Sequence, residues 1–119
     1  MSDKTTISLN NDADKVLEIL NEKGIFNDKV DIGRFGFAYA IKNDLWKSLN
    51  DQRVGEGRGT TWNVGTFDKG EMSFLVKELL PDYENVYKAV EMLTNLGLIS
   101  IGKRIEESHG VFNISDFMK

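Results

Sequence analysis

The chain contains no cysteine, one proline and one histidine. Without thiols there is no disulfide, no thiolate nucleophile and no thiolate metal site. His109 stands before Gly110 in an expected turn and lacks the partners that a catalytic dyad or triad requires. No apolar run approaches the ~20 residues of a membrane span, and the start lacks the basic-then-apolar order of a secretory leader. An excess of positive charge is also missing. Fifteen Lys and Arg face nineteen Asp and Glu, for a net charge of −4. Neither half is basic: residues 1–50 hold seven cations against eight anions, and residues 51–119 hold eight against eleven. An autonomous DNA binder draws much of its affinity from a basic face, so only a local patch could serve here. These absences lead to an expectation of a cytoplasmic non-enzyme with no cofactor, no metal and no membrane partner. Carboxylate pairs such as Asp12 and Asp14, Asp28 and Asp31, and Glu106 and Glu107 read as helix caps or solvated faces.

With 119 residues, 40% of them hydrophobic, the chain reads as a single domain with a modest core. The most informative stretch is Thr5–Lys42. Thr5–Leu9 is a short β-prone piece, with Ile7 and Leu9 on one side and Thr6 and Ser8 on the other. Its brevity suggests pairing with a second copy of the chain. Thr6, Ser8 and Asn10 then read either as small polar groups for a DNA groove or as the solvated face of an ordinary edge strand. Asn10 or Asn11 caps a first helix whose Ala13, Val16, Leu17 and Leu20 follow the i, i+3, i+4, i+7 pattern, with Ile19 widening the stripe. Gly24 ends it, and Ile25 and Phe26 pack back.

Asn27 or Asp28 starts a second helix that is apolar almost all round: Val30, Ile32, Phe35, Phe37, Ala38, Tyr39, Ala40 and Ile41. Gly33 and Gly36 each cost about 1 kcal/mol of helix propensity relative to Ala, which points to a close approach, as by another helix backbone. The order strand, helix, glycine-led turn, helix over 5–42 is similar to a ribbon-helix-helix unit, a fold that is normally an intertwined dimer. On that reading Ile7, Leu9, Gly33, Phe35, Gly36, Phe37, Ala40 and Ile41 form an oligomer interface. Asp28 and Asp31 sit where such a fold anchors a DNA phosphate, opposed only by Lys29. Arg34, the lone charge between Ile32 and Ile41, either pairs with an anion or snorkels to water.

Residues 44–49 suggest a short helical turn with Leu45, Trp46 and Leu49 as packing residues. Residues 51–70 read as a glycine-rich connector and a short strand. GEGRG lacks the flanking strand, helix and Gly-Lys-Ser/Thr of a phosphate-binding loop. Arg53 and Arg58 are the residues of this connector that could touch a partner or a nucleic-acid backbone. Helices are expected over 71–108: one over 71–80 with Met72, Phe74, Leu75, Leu79 and Leu80 apolar, then one long helix over 82–108. Pro81 fits the end of the first and the beginning of the second. A competing reading makes 96–115 a β-wing. The fold class is therefore mainly α with short β-strands, a ribbon-helix-helix-like N-terminal unit and C-terminal helices, assembled as a dimer or higher homo-oligomer.

Taken together, Ile25–Ala40, GRGTTWNVGTFDKGE over Gly57–Glu71 and Leu93–Leu98 resemble the DndE family of small DNA sulfur modification proteins. The resemblance implies a non-catalytic, self-assembling accessory in DNA modification or defence that associates with duplex or nicked DNA through surface lysines. Lys4, Lys15, Lys29, Arg53, Arg58, Lys103 and Arg104 are the matching candidates, dispersed among carboxylates. The alternative is a scaffold subunit that docks on a larger protein and never touches DNA.

Overall fold

The structure, a computed structural model, describes residues 3–51, 58–111 and 113–117. It is mainly helical with a small two-strand antiparallel sheet. In chain order the elements are β1 (Thr6–Ser8), α1 (Asn11–Glu22), α2 (Lys29–Lys42), a 3-10 turn (Leu45–Asp51), β2 (Thr61–Asn63), α3 (Val64–Phe67), α4 (Glu71–Leu79), α5 (Val86–Glu107) and α6 (Ile114–Phe117). Among the described residues no helix is long and apolar enough to cross a membrane. Residues 96–107 are helical, so the long-helix reading holds over that span in place of a wing. Pro81 lies in the turn between α4 and α5 and is not an early residue of α5.

α1 forms as its pattern requires. Asn10 adopts an extended backbone and its Oδ1 accepts from the Ala13 N–H at 2.9 Å. Ala13, Val16, Leu17 and Leu20 are all buried, whereas Ile19 is 42% exposed and lies outside the buried stripe. Gly24 takes the left-handed conformation with φ 70°. Phe26 packs on Phe35 with ring centroids 5.3 Å apart, while Ile25 remains exposed.

α2 is apolar all round because it lies between two cores. On one side Ile32 and Tyr39 join Leu17 and Leu20 of α1 with Leu98, Ile101 and Ile105 of α5. On the other side Phe37 and Ala40 join Ile7, Phe67, Val76 and the first half of α5. Its two glycines are used differently. A Cβ on Gly33 would stand 2.8 Å from the Phe67 ring and 2.9 Å from Trp62, so this glycine admits two stacked aromatic side chains. Gly36 meets α5 itself: a Cβ there would lie 2.7 Å from Leu98 Cγ, and a Cβ on Gly97 would overlap the Gly36 carbonyl. The close approach by another helix backbone is present at Gly36, and the helix belongs to the same chain.

The expected pairing of the first strand with a second copy is corrected. β1 pairs with β2 of its own chain, in the register Thr6 with Asn63, Ile7 with Trp62 and Ser8 with Thr61. Its other edge is closed by two α5 side chains one turn apart. The Ser8 N–H donates to Glu91 Oε2 at 2.8 Å, and Asn95 Nδ2 donates to the Ser8 carbonyl at 3.1 Å. Asn95 Oδ1 accepts from the Asn10 N–H at 2.8 Å. A three-residue strand suffices here because side chains finish the ladder that a second strand would otherwise complete. Ile7, Leu9, Gly33, Gly36, Phe37 and Ala40, expected at an oligomer interface, are therefore buried within one chain. Phe35 is half-buried against Phe26, and Ile41 stays half-exposed on the outer side of α2.

The backbone contact at Gly97 leaves no space for a methyl group. Gly97→Ala is expected to lower unfolding free energy by on the order of 3 kcal/mol in urea titration, since the two helices must separate. Gly65→Ala, where a Cβ would meet nothing within 4 Å, is expected to change it by less than about 1 kcal/mol.

Candidate protein-binding groove

The side of α2 that the two cores leave open faces α4. Between them runs an apolar groove of about 390 Å³, lined by Arg34, Phe37, Ala38, Ile41 and Lys42 of α2 and by Glu71, Met72 and Leu75 of α4. α4 buries Met72 and Val76 but carries more apolar residues than one face can hide. Phe74 is 63% exposed and Leu75 38% exposed. Solitary exposed hydrophobes are normal, but two in succession on a helix whose Leu75 lines an apolar groove mark a candidate contact surface.

Two polar clusters fix the geometry of this groove. Arg34, read from the sequence as snorkelling or pairing with an anion, does pair with Asp31 and also ties α2 to the end of α3. Its Nη2 donates to the Thr66 carbonyl at 2.7 Å and its Nε to the Phe67 carbonyl at 3.0 Å, with Asp31 at 3.4 Å. Asp68, next in the chain, starts α4 from below. Its carboxylate accepts from the N–H groups of Gly70 at 2.9 Å, Met72 at 2.9 Å and Ser73 at 3.2 Å, and from the Tyr87 hydroxyl at 3.1 Å. Burial pushes the Asp68 pKa up, but the hydrogen bonds from Met72, Ser73 and Gly70 outweigh it and hold the carboxyl below its ordinary value. α4 thereby gains the capping that Gly70, with no side chain, cannot supply.

The residues expected to touch DNA are not brought together. Asn10 is buried as the α1 cap. Ser8 is held by α5 at its backbone and its hydroxyl lies 2.9 Å from that of Thr61. Thr6 is half-buried on the same face of the sheet. Lys4 pairs with Glu91 of α5 at 3.1 Å and Lys29 with Glu18 of α1 at 3.0 Å, so each ammonium already faces a carboxylate. Arg58 is exposed just before β2, and Arg53 lies outside the described residues with the rest of 52–57. His109 is an exposed residue with φ 56° that closes α5: its N–H donates to the Glu106 carbonyl and that of Gly110 to the Ile105 carbonyl. Sequence reasoning assigned α2 to assembly but overlooked Phe74, Leu75 and Glu71. The available signal was the apolar excess in EMSFLVKELL, whose Met72, Phe74, Leu75, Val76, Leu79 and Leu80 cannot share one helical stripe.

Because the folded-state pKa of Asp68 is depressed, its contribution is fully present above the unfolded value. It is lost as the pH falls from about 4 through the folded value. Asp68→Asn is expected to cost about 2 kcal/mol at pH 7. It should also flatten the loss of stability on acidification, read by chemical denaturation at several pH values.

The chain matches no protein-family model, no curated protein and no solved structure with which it was compared.

Proposed function

We propose that the chain is a non-catalytic accessory subunit that works by docking on protein through the groove between α2 and α4. The observation that carries this reading is the groove itself: an apolar channel of about 390 Å³ with the exposed Leu75 on its wall. Its placement in DNA modification or defence follows from the DndE-like stretches alone. The order β1–α1–α2 keeps the ribbon-helix-helix sequence of elements, with the ribbon completed by β2. If an assembly forms, the helix α2 contributes its outer side, through Ala38 and Ile41, and not its glycines.

Direct contact with DNA is the second reading. Arg58 favours it, exposed at the entry to β2, where Thr61 and Asn63 are exposed as well. The pairing of Lys4 and Lys29 with carboxylates and the burial of Asn10 weigh against it.

The test is recovery of the tagged chain from its native cells after nuclease treatment. Leu75→Asp is expected to lower recovery of a co-purifying protein by about tenfold or more, with the melting temperature unchanged. Equal recovery with both forms would remove the docking role. For the second reading, a duplex should be retained near 50 mM salt, released near 200 mM and lost in Arg58→Glu, on the order expected for a few phosphate contacts. Absence of binding at low salt would remove the DNA contact.

A further inference from the structure

We propose that residues 3 and 4 form a strap whose docking on α5 holds the α4 wall of the groove in place, with Tyr87 as the link between the two. What occupies the groove does not enter into this coupling, so it stands or falls apart from the docking role.

Two helices of this chain begin without a side-chain cap of their own. Asn85 precedes α5 and makes no side-chain hydrogen bond to its first turn, and Gly70 precedes α4 with no side chain to offer. Each start is closed instead by a carboxylate from outside the helix. Asp3 Oδ2 accepts from the Tyr87 N–H at 2.7 Å and its Oδ1 from the Lys88 N–H at 3.2 Å. Asp68 serves α4 in the same way, accepting from the N–H groups of Gly70, Met72 and Ser73. Tyr87 touches both carboxylates. Its backbone N–H is held by Asp3, and its hydroxyl donates to Asp68 Oδ2 at 3.1 Å. That same oxygen accepts from the Ser73 N–H.

The strap has a second attachment one turn further along α5, where Lys4 pairs with Glu91 at 3.1 Å. Asp3 is half-buried and Lys4 exposed, and neither belongs to the two hydrophobic cores, so the strap can leave without opening them. Once Asp3 departs, the Tyr87 and Lys88 N–H groups lose their acceptor and the first turn of α5 loosens. Tyr87 moves with that turn, and Asp68 loses the hydroxyl that steadies it against the start of α4. Glu71 and Met72 stand in the first turn of α4 and line the groove, with Leu75 one turn on. A docked strap therefore accompanies a formed groove wall, and a released strap a frayed one. A partner that captured the released strap would weaken the groove, and a groove ligand would hold the strap down.

Amide exchange on the full chain, followed residue by residue by NMR, tests this with Asp3→Ala made in the wild type and in a Tyr87→Phe background. In the wild type, Asp3→Ala should speed exchange at Tyr87 and Lys88 and also at Met72 and Ser73 by about fivefold, the equilibrium worth of one hydrogen bond. Leu17, buried in α1, should exchange as before. In the Tyr87→Phe background the same change should still act on position 87 and Lys88 but no longer on Met72 and Ser73. Exchange at Met72 and Ser73 that ignores Asp3→Ala, or that responds equally without the hydroxyl, would overturn the coupling. So would a rise at Leu17 as large as that at Met72, the mark of general loosening.

Discussion

The backbone contact between Gly36 of α2 and Gly97 of α5 is the constraint on which the rest of the chain depends. With no Cβ on either side, the two helices approach until the Gly36 carbonyl occupies the place a side chain on Gly97 would take. α2 then lies deep enough for one flank to close a core with α1 and the other to close a core with α3, α4 and the 3-10 turn. The propensity cost of glycine within a helix, about 1 kcal/mol each, is offset by packing on both flanks. Gly102 repeats the device on a smaller scale by admitting Val16 of α1.

α5 also supplies the polar contacts that let so small a sheet exist. Glu91 and Asn95 cover the open edge of β1, and Asn95 has each of its amide atoms in use: Oδ1 toward the Asn10 N–H, Nδ2 toward the Ser8 and Glu91 carbonyls. The reverse orientation of this amide would set donor against donor and acceptor against acceptor, so the surroundings determine it. At the start of α5, Asp3 accepts from the Tyr87 and Lys88 N–H groups at 2.7 and 3.2 Å, a cap supplied from the opposite end of the chain. These contacts bind residues more than eighty positions apart. They place the strand, the first helix and the last long helix in one cooperative unit.

Much of this was legible in the sequence where the signal is local. The i, i+3, i+4, i+7 pattern located α1, Asn10 and Asp28 emerged among the named caps, and Gly24 ended the first helix as anticipated. Gly36 announced a close helix contact. What stayed hidden was non-local. A three-residue strand has almost no register information, and its partner, Thr61–Asn63, follows a glycine-rich connector that breaks every periodicity. Asn95 and Glu91 look like ordinary helix-surface residues until the strand is laid beside them. Arg34 resembles an exposed cation because two of its acceptors, the Thr66 and Phe67 carbonyls, are backbone groups that carry no sequence signature. The groove was concealed for a related reason: α4 carries apolar residues on more than one side, and only its docking on α5 determines that Met72 and Val76 turn inward while Phe74 and Leu75 turn out.

The central claim is that the two-strand sheet is complete within a single chain, which leaves the α2–α4 groove as the open apolar side. The absence of native cysteine allows a direct test. Ser8 and Thr61 stand opposite each other in the ladder with their hydroxyl oxygens 2.9 Å apart. As a non-hydrogen-bonded pair their Cα atoms are separated by roughly 4.5 Å, within the range a disulfide spans. A Ser8→Cys, Thr61→Cys variant, oxidised and then denatured without reductant, should run at the mass of one chain with both thiols consumed. A disulfide-linked dimer would show that the strand pairs between copies and would contradict the account.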